Sequence, residues 1–249
     1  MPVGGGLADV GHGGFRSIVY RQVCLLLASY RPVWYCQGMA KQSVAARGSP
    51  ATKALGAPGH APEAARRSAR ERLLEAAEVL FYEEGINTVG IDRVIERAGV
   101  AKASLYDIYG SKEELIRAYL LSKQEARKAR IERVLARHAT AREQLLGVFD
   151  SMAEVFAEPT FRGCAFIRAS AESREGSRIR AVCDDSRMWL HDLLARLARE
   201  AGARDPAALA AQLLLVYDGA LVAAQMDHDT GAAKTARALA GVMLDAAVR

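Results

Sequence analysis

The chain has 249 residues, of which 51% are apolar and 25% are charged, the composition of a folded globular protein rather than a disordered one. Its formal net charge is +5, and its length predicts one or two domains with enough apolar material for a core. No run of about 18 consecutive apolar residues occurs, so no membrane-spanning helix is expected.

The first 61 residues differ in composition from the remainder. They hold six of the 34 basic residues, one of the 29 acidic residues and ten of the 21 glycines, so the basic excess of the chain lies entirely within them. We interpret residues 1–61 as a flexible extension, with Met39 as an alternative start of translation. A basic arm that contacts phosphates is the alternative interpretation. In either case, overall basicity is no argument for DNA binding by residues 62–249.

The cysteine pattern predicts free thiols rather than a metal site. Cys24, Cys36, Cys164 and Cys183 form no C-x-x-C pair and have no histidine at ligand spacing, so structural zinc is not expected. The apolar run at residues 23–28 is too short for a secretion signal. A cytoplasmic protein with reduced cysteines is therefore predicted.

From residue 63 onward, strong helix formers dominate and only Pro159 and Pro206 interrupt them, which predicts an all-α fold of about nine helices. Gly85 is placed to end the first helix, Ser111 and Glu114 to form a capping box, and Asp205 to cap a helix that begins with Pro206. The expected helices span residues 64–84, 91–98, 102–109, 112–138, 141–157, 161–173, 178–201, 205–227 and 230–248.

The second and third helices have the pattern of a helix-turn-helix motif. Two short helices are joined by a tight turn with Gly99 at its centre, where a side chain would obstruct close packing or require a strained positive φ. Val94, Ile95, Val100 and Leu105 are expected to form the small core that fixes the angle between these helices. The third helix is then free to enter a DNA major groove.

These residues resemble the TetR/AcrR family of regulators. The resemblance rests on Ala98-Gly99-Val100, Leu105-Tyr106 and the run from Ser111 to Leu115, all in phase. It implies a DNA-binding domain at residues 62–110 and a helical domain at 111–249 that holds an effector pocket and a dimer interface. The segments 162–167 and 213–220 look like one subgroup of the family's ligand domains.

The resemblance also implies which residues contact DNA. Three residues of the third helix would contact base edges and so determine the operator sequence, because they lie at its start or on its outward face; they are Lys102, Ala103 and Asp107. The remaining residues would contact the phosphate backbone, and they are Ser104, Tyr106, Lys112, Arg93, Arg66, Arg67 and Arg70. Three departures from the family pattern are Gly90 in place of a Ser or Thr cap, Asp92 where a polar or basic residue often reaches the backbone, and Asp107 with Ile108 in place of an aromatic or histidine pair. Asp107 would repel phosphate unless it accepts from cytosine or pairs with a base such as Lys102.

An effector pocket is expected between helices of the second domain, lined by apolar and aromatic side chains. The candidates are Phe149, Met152, Phe156, Phe166, Met188, Trp189 and Tyr217, with His191 and Asp218 as polar groups that need a partner. Each candidate has packing in the core as its alternative role. Closely spaced Ala and Gly in the last two helices favour a homodimeric four-helix bundle.

No arrangement of residues typical of an enzyme is present, and no cofactor or metal is expected. The predicted function is a ligand-responsive repressor, a homodimer that binds a palindromic double-stranded operator and is released by a small-molecule effector. Two alternatives stay open. One is a redox-sensing regulator acting through Cys164 and Cys183, and the other is an all-α small-molecule-binding protein with a vestigial helix-turn-helix.

Overall fold

A computed structural model describes residues 68–248, and within that range the chain forms nine α-helices and no strand. The all-α prediction is therefore confirmed. The predicted extension, Arg66 and Arg67 lie outside the described residues. The helices are α1 (Ala69–Glu84), α2 (Ile91–Ala98), α3 (Lys102–Tyr109), α4 (Lys112–Leu135), α5 (Ala141–Phe156), α6 (Ala165–Glu172), α7 (Arg178–Glu200), α8 (Pro206–Asp227) and α9 (Ala232–Val248).

Capping explains where the helix ends differ from the predicted ones. The helix α1 begins at Ala69 rather than residue 64, because Ser68 is extended and forms a complete capping box with Glu71. At α4, Ser111 accepts a hydrogen bond from the Glu114 backbone N–H (3.1 Å), but the Glu114 carboxylate pairs with Arg178 instead of returning to Ser111. Only half of the predicted capping box is thus present.

The first of two apolar cores joins α1, α2 and α3 to the beginning of α4. Leu73, Val94, Leu105 and Leu115 are almost fully buried in it. The same core continues into α6 and the first turns of α7, where it includes Phe166 and other residues. The helix-turn-helix therefore packs directly on the second part of the chain, and the boundary predicted after residue 110 stays a prediction.

The second core lies among the end of α4 and the helices α5, α7, α8 and α9. Phe149 on α5 and Tyr217 on α8 meet edge to face with their ring centroids 6.2 Å apart, a favoured geometry for buried aromatic pairs. Leu194 and Leu213 are fully buried beside them. This bundle forms one wall of the cavities described below.

The helix α8 is strongly apolar, although the sequence contains no long uninterrupted run of apolar residues. Within the described residues it is the one helix long and apolar enough to cross a membrane, with a mean hydropathy of 1.7 over its most apolar window. One side of it packs against α7 and α9. Its other side exposes Leu215 (69%), Val222 and Met226 (74%), which recur at helical spacing along one stripe.

The helix α9 carries a second exposed stripe that includes Leu239 and Val242 (67%). A groove of about 320 Å³ between the helices is lined by Gly219, which lies on the same face of α8 as Leu215 and Val222, and by Leu239 of the α9 stripe. The two stripes therefore form one surface, made of Leu215, Val222, Met226, Leu239 and Val242, which we call the α8/α9 face.

Candidate functional site

The turn of the helix-turn-helix is fixed from two sides. Gly99 adopts the left-handed conformation (φ 62°, ψ 43°), and the N–H of Val100 donates to the carbonyl of Ile95 (3.2 Å). Arg72 of α1 donates through one guanidinium nitrogen to the carbonyls of Ala98 (3.2 Å) and Gly99 (3.1 Å). Sequence reasoning identified Gly99 but missed Arg72, because nothing distinguishes a basic residue that reaches a distant turn from one that faces solvent.

The recognition helix α3 is held in place by its buried face and by Arg70. Leu105 and Tyr109 are buried, and the Tyr109 hydroxyl donates to the carbonyl of Arg70 (3.0 Å). The Arg70 guanidinium in turn donates to the carbonyl of Ile108 (3.2 Å) and lies over the Tyr109 ring. Burial raises the pKa of Tyr109, which keeps its hydroxyl protonated as a donor. Arg70, predicted to touch phosphate, thus positions the end of α3.

The outer face of α3 presents the side chains that the sequence singled out. Lys102, Ala103, Tyr106 and Asp107 are exposed, while Ser104 is half-buried at the edge of this face. Tyr106 is 45% exposed, an unusual position for an aromatic ring on a short helix without a partner. The structure therefore brings the five predicted α3 residues onto one side of the motif, available to a macromolecule.

Two basic residues of this region carry their own counter-ions. The Lys102 ammonium lies 2.9 Å from the carboxylate of Asp92 rather than that of Asp107, and this contact raises the pKa of Lys102. Arg93 forms a two-pronged pair with Glu84, with its second hydrogen bond at 2.8 Å, which raises the pKa of Arg93. Both pairs are solvent-exposed and therefore weak. A phosphate or base edge can displace either carboxylate at small cost.

Lys112 lies half-buried at the start of α4, one residue after the cap. Burial lowers the pKa of Lys112, and the nearby carboxylate of Glu172 on α6 opposes that shift. The N-terminal end of a helix favours anions, so this position suits the phosphate contact predicted for Lys112.

Several hydrogen bonds connect α1 and the loop after it to the segment around α6. The Tyr82 hydroxyl donates to the carbonyl of Gly163 (3.0 Å) and accepts from the backbone N–H of Arg162 (2.9 Å). Asn87 donates through its backbone N–H to the Glu172 carboxylate (3.0 Å) and through its amide to the Glu172 carbonyl (2.8 Å). The helix α1 and the loop before α2 are thus tied to both ends of α6.

Two adjoining cavities lie where the two apolar cores meet. The first compartment, about 350 Å³, is bounded by α4, α6, α7 and α8. The second, about 240 Å³, extends from α8 toward α1 and the segment before α6. Both are lined by Arg127, Cys164, Phe166, Tyr217 and Leu221, so these five residues form the wall between them.

Three of the nine predicted effector residues line these compartments. Phe166 and Tyr217 line both, and Asp218 lines the first, where it pairs with Arg187 at 2.6 Å. The partner that a polar group on this apolar helix requires is therefore supplied by Arg187, which sequence reasoning did not identify.

The other six predicted effector residues lie elsewhere. The three on α5 are buried in the second core because that helix turns its apolar face into the bundle, and they are Phe149, Met152 and Phe156. Met188 is 59% exposed on the outside of α7. Trp189 packs its indole against the Arg127 guanidinium (5.5 Å), and His191 lies 3.3 Å from the Asp192 carboxylate. The spacing of apolar residues predicted which face of each helix is apolar, but it did not predict which of these faces lines a cavity.

Cys164 and Cys183 are free and both line the first compartment. Burial raises the pKa of the Cys164 thiol, and it raises the pKa of the Cys183 thiol to about 11. Both side chains are therefore protonated near neutral pH and weakly nucleophilic. Across residues 68–248, no cluster of three or more His, Cys, Asp or Glu side chains is arranged to hold a metal ion.

Two short helices joined by a tight turn, with the outer face of the second one exposed, are the arrangement of a helix-turn-helix DNA-binding protein. Residues 73–119 match the model of the bacterial regulatory proteins of the tetR family. A TetR-family transcriptional regulator from Streptomyces coelicolor is 31% identical, with a TM-score of 0.69 over 73% of this chain and 96% of that one. The chain therefore belongs to the TetR family of transcriptional regulators.

Other solved structures agree with this assignment. A protein from Streptomyces avermitilis, assigned as a TetR transcriptional regulator, is 32% identical over 73% of this chain and 98% of its own, with a TM-score of 0.64. The reduced form of NemR from Escherichia coli shares the fold at 23% identity over 71% of this chain and 97% of its own, with a TM-score of 0.61. No curated protein sequence matched the chain.

Proposed function

We propose that the protein is a cytoplasmic, ligand-responsive transcriptional repressor. Two copies bind a palindromic operator, and a small molecule in the cavity beside α6 releases them. The observation that carries this proposal is the position of Tyr82. Its side chain lines the second compartment, and its hydroxyl bonds the backbone at Arg162 and Gly163. Tyr82 belongs to α1, which packs against α2 and α3, so a residue of the DNA-binding domain also lines the cavity.

The mechanism is a shift between two conformations. A ligand in the second compartment presses on Tyr82 and on the segment that precedes α6, and Asn87 and Glu172 connect the far end of α6 to the loop before α2. A displacement of α6 thus moves the whole helix-turn-helix as one body. The ligand favours the arrangement in which two recognition helices are wrongly spaced for successive major grooves, about 34 Å apart.

The α8/α9 face supports the proposed homodimer. Leu215, Met226 and Val242 are each about two-thirds exposed or more, a degree of apolar exposure that isolated proteins rarely concentrate on one surface. The small residues that line the groove between α8 and α9, including Gly219 and Ala223, allow a second pair of helices to approach closely. A face repeated on an identical copy generates the two-fold symmetry that a palindromic operator requires.

DNA binding is tested by fluorescence anisotropy with labelled duplexes that tile the region upstream of the gene. The expected result is one duplex that binds at least about 1,000-fold more tightly than a scrambled duplex of the same composition. The stoichiometry should be two protein chains per molecule of that duplex. Equal affinity for every duplex would contradict the proposal and favour the alternative of a small-molecule-binding protein with a vestigial helix-turn-helix.

A further inference from the structure

The second compartment is lined by both basic and aromatic side chains. Arg127 and Arg130 project from α4 three residues apart, which places them on one face of that helix. Phe161, Phe166 and Tyr217 line the same compartment, and the Arg127 guanidinium lies over the Phe166 ring (4.9 Å). The compartment therefore offers both charged donors and aromatic surface to a ligand.

Arg130 has no partner within the part of the chain that the structure describes. Its Nε atom is buried without a hydrogen bond, and its guanidinium forms no ion pair with any of residues 68–248. Arg130 as a whole is half-buried, and a partly desolvated charged donor is more stable with an acceptor than without one. An acceptor from outside the chain would meet this requirement.

Arg127 is held in position but is not neutralised. One of its terminal nitrogens donates to the backbone and hydroxyl oxygens of Ser186 (2.6 Å each), and its guanidinium lies over the rings of Phe166 (4.9 Å) and Trp189. Its Nε atom is also buried without a partner. No carboxylate of the described residues lies within ion-pair distance of it, so its charge is uncompensated.

The other charges around the two compartments are largely balanced. In the first compartment, Asp184 pairs with Arg180 (3.1 Å) and Asp218 pairs with Arg187 (2.6 Å). In the second, Lys123 lies 3.7 Å from Glu78. Glu158 is the one carboxylate that lines the second compartment, and its side chain is exposed and pairs with none of the described bases. The unmatched positive charge is that of Arg127 and Arg130.

We propose that the second compartment binds an organic carboxylate with an aromatic or short alkyl body. Its two oxygens accept from Arg127 and Arg130, and its body lies against Phe166 and Tyr217. The role of this compound as an effector rests on the proposed function, whereas the anion site itself does not. Paired N–H donors on two guanidinium groups suit the two acceptor oxygens of a carboxylate.

Tyr217 adds a further donor at the same place. It is buried, and its hydroxyl makes no hydrogen bond within residues 68–248. Arg127, Arg130 and Tyr217 all line the second compartment. Burial raises the pKa of Tyr217, while Arg127 and Arg130 act in the opposite direction. The protonated hydroxyl can donate to a carboxylate that the arginines already hold.

The site is tested by titration calorimetry of the full chain without DNA. The probes are benzoate, naphthoate and octanoate, each compared with its uncharged amide. We expect at least one acid to bind about 10- to 100-fold more tightly than its amide, the range for a hydrogen bond to a charged group. Arg130→Met, which keeps the length of the side chain, should abolish that difference.

Arg133→Met is the matched control. Arg133 lies one turn further along α4 and pairs with Glu154 at the surface (3.6 Å), so its loss should leave the preference for the acid unchanged. Glu158→Gln should strengthen acid binding because it removes a like charge. Equal binding of acid and amide, failure of all three acids to bind, or an equal effect of Arg133→Met would each overturn the proposal. Loss of operator binding leaves this measurement unaffected, so the two proposals fail separately.

Discussion

A single hydroxyl group, that of Tyr82, joins α1 of the DNA-binding domain to the segment before α6 that lines the cavity. Tyr82→Phe keeps the ring but removes the bonds to Gly163 and Arg162. We expect a loss of about 1 to 2 kcal/mol in the free energy of unfolding, measured by chemical denaturation. The ratio of operator affinities without and with a bound carboxylate should also fall toward one.

Tyr109→Phe is the control for this prediction. This substitution also removes a hydrogen bond, the one to the carbonyl of Arg70, but Tyr109 lines neither compartment. Its affinity ratio should stay at the native value even where its stability falls. A native ratio in Tyr82→Phe would show that coupling does not pass through this hydroxyl.

The cysteine environments argue against a redox switch. With the pKa of Cys183 near 11, its thiolate fraction at pH 7.5 is about 300-fold smaller than for a thiol of pKa about 8.5. Peptide mass spectrometry should therefore show slow alkylation at both Cys164 and Cys183, and peroxide should leave operator affinity unchanged. Rapid loss of binding that Cys164→Ser prevents would restore the redox alternative.

At the scale of elements, the turn between α2 and α3 depends on Arg72 as well as on Gly99. Arg72→Met removes the hydrogen bonds to the carbonyls of Ala98 and Gly99 and keeps the aliphatic stem. We expect thermal unfolding to show a loss of about 1.5 to 3 kcal/mol. Arg97→Met is the control, because Arg97 is exposed on α2 and makes no hydrogen bond within residues 68–248. An equal effect of the two substitutions would contradict the role assigned to Arg72.

The sequence predicted the elements best where the signals are local. The approximate bounds predicted for α2 and α3 agree with the structure, and Gly90, Gly99 and Gly110 flank three of their four ends. The start of α6 was predicted four residues too early, because its position depends on contacts with Tyr82 from a distant part of the chain.

The same distinction applies to the candidate site. Helical spacing alone predicts which residues of α3 are exposed and that they share one face of the helix. The roles of Arg127, Arg130 and Arg187 depend on which side chains face a cavity between four helices, and no spacing rule encodes that. The sequence likewise did not distinguish the core positions on α5 from the cavity positions on α6 and α8.

For the whole molecule, the proposed dimer interface would cover the apolar stripe that α8 exposes. Val242→Glu places a charge in the proposed interface, where it would be desolvated without a partner. Light scattering should show a native dimer and a monomeric variant. Operator affinity should fall by at least about 100-fold, because the second half-site is no longer tethered.

Ala139→Glu is the control for the interface. Ala139 is exposed in the loop between α4 and α5, so the same charge there should leave the dimer intact. A Val242→Glu variant that stays dimeric at micromolar concentration would move the interface to another surface.

Recognition of the operator by α3 is the central claim, and its most direct test is the salt dependence of operator affinity for Lys102→Ala and Lys128→Ala. Both lysines have a surface carboxylate partner at similar distance, 2.9 Å to Asp92 and 3.0 Å to Glu125, but only Lys102 lies on α3. Anisotropy titrations between about 50 and 200 mM salt should show weaker binding and a shallower salt slope for Lys102→Ala. Lys128→Ala should match the native chain. Identical curves for all three proteins would contradict the account.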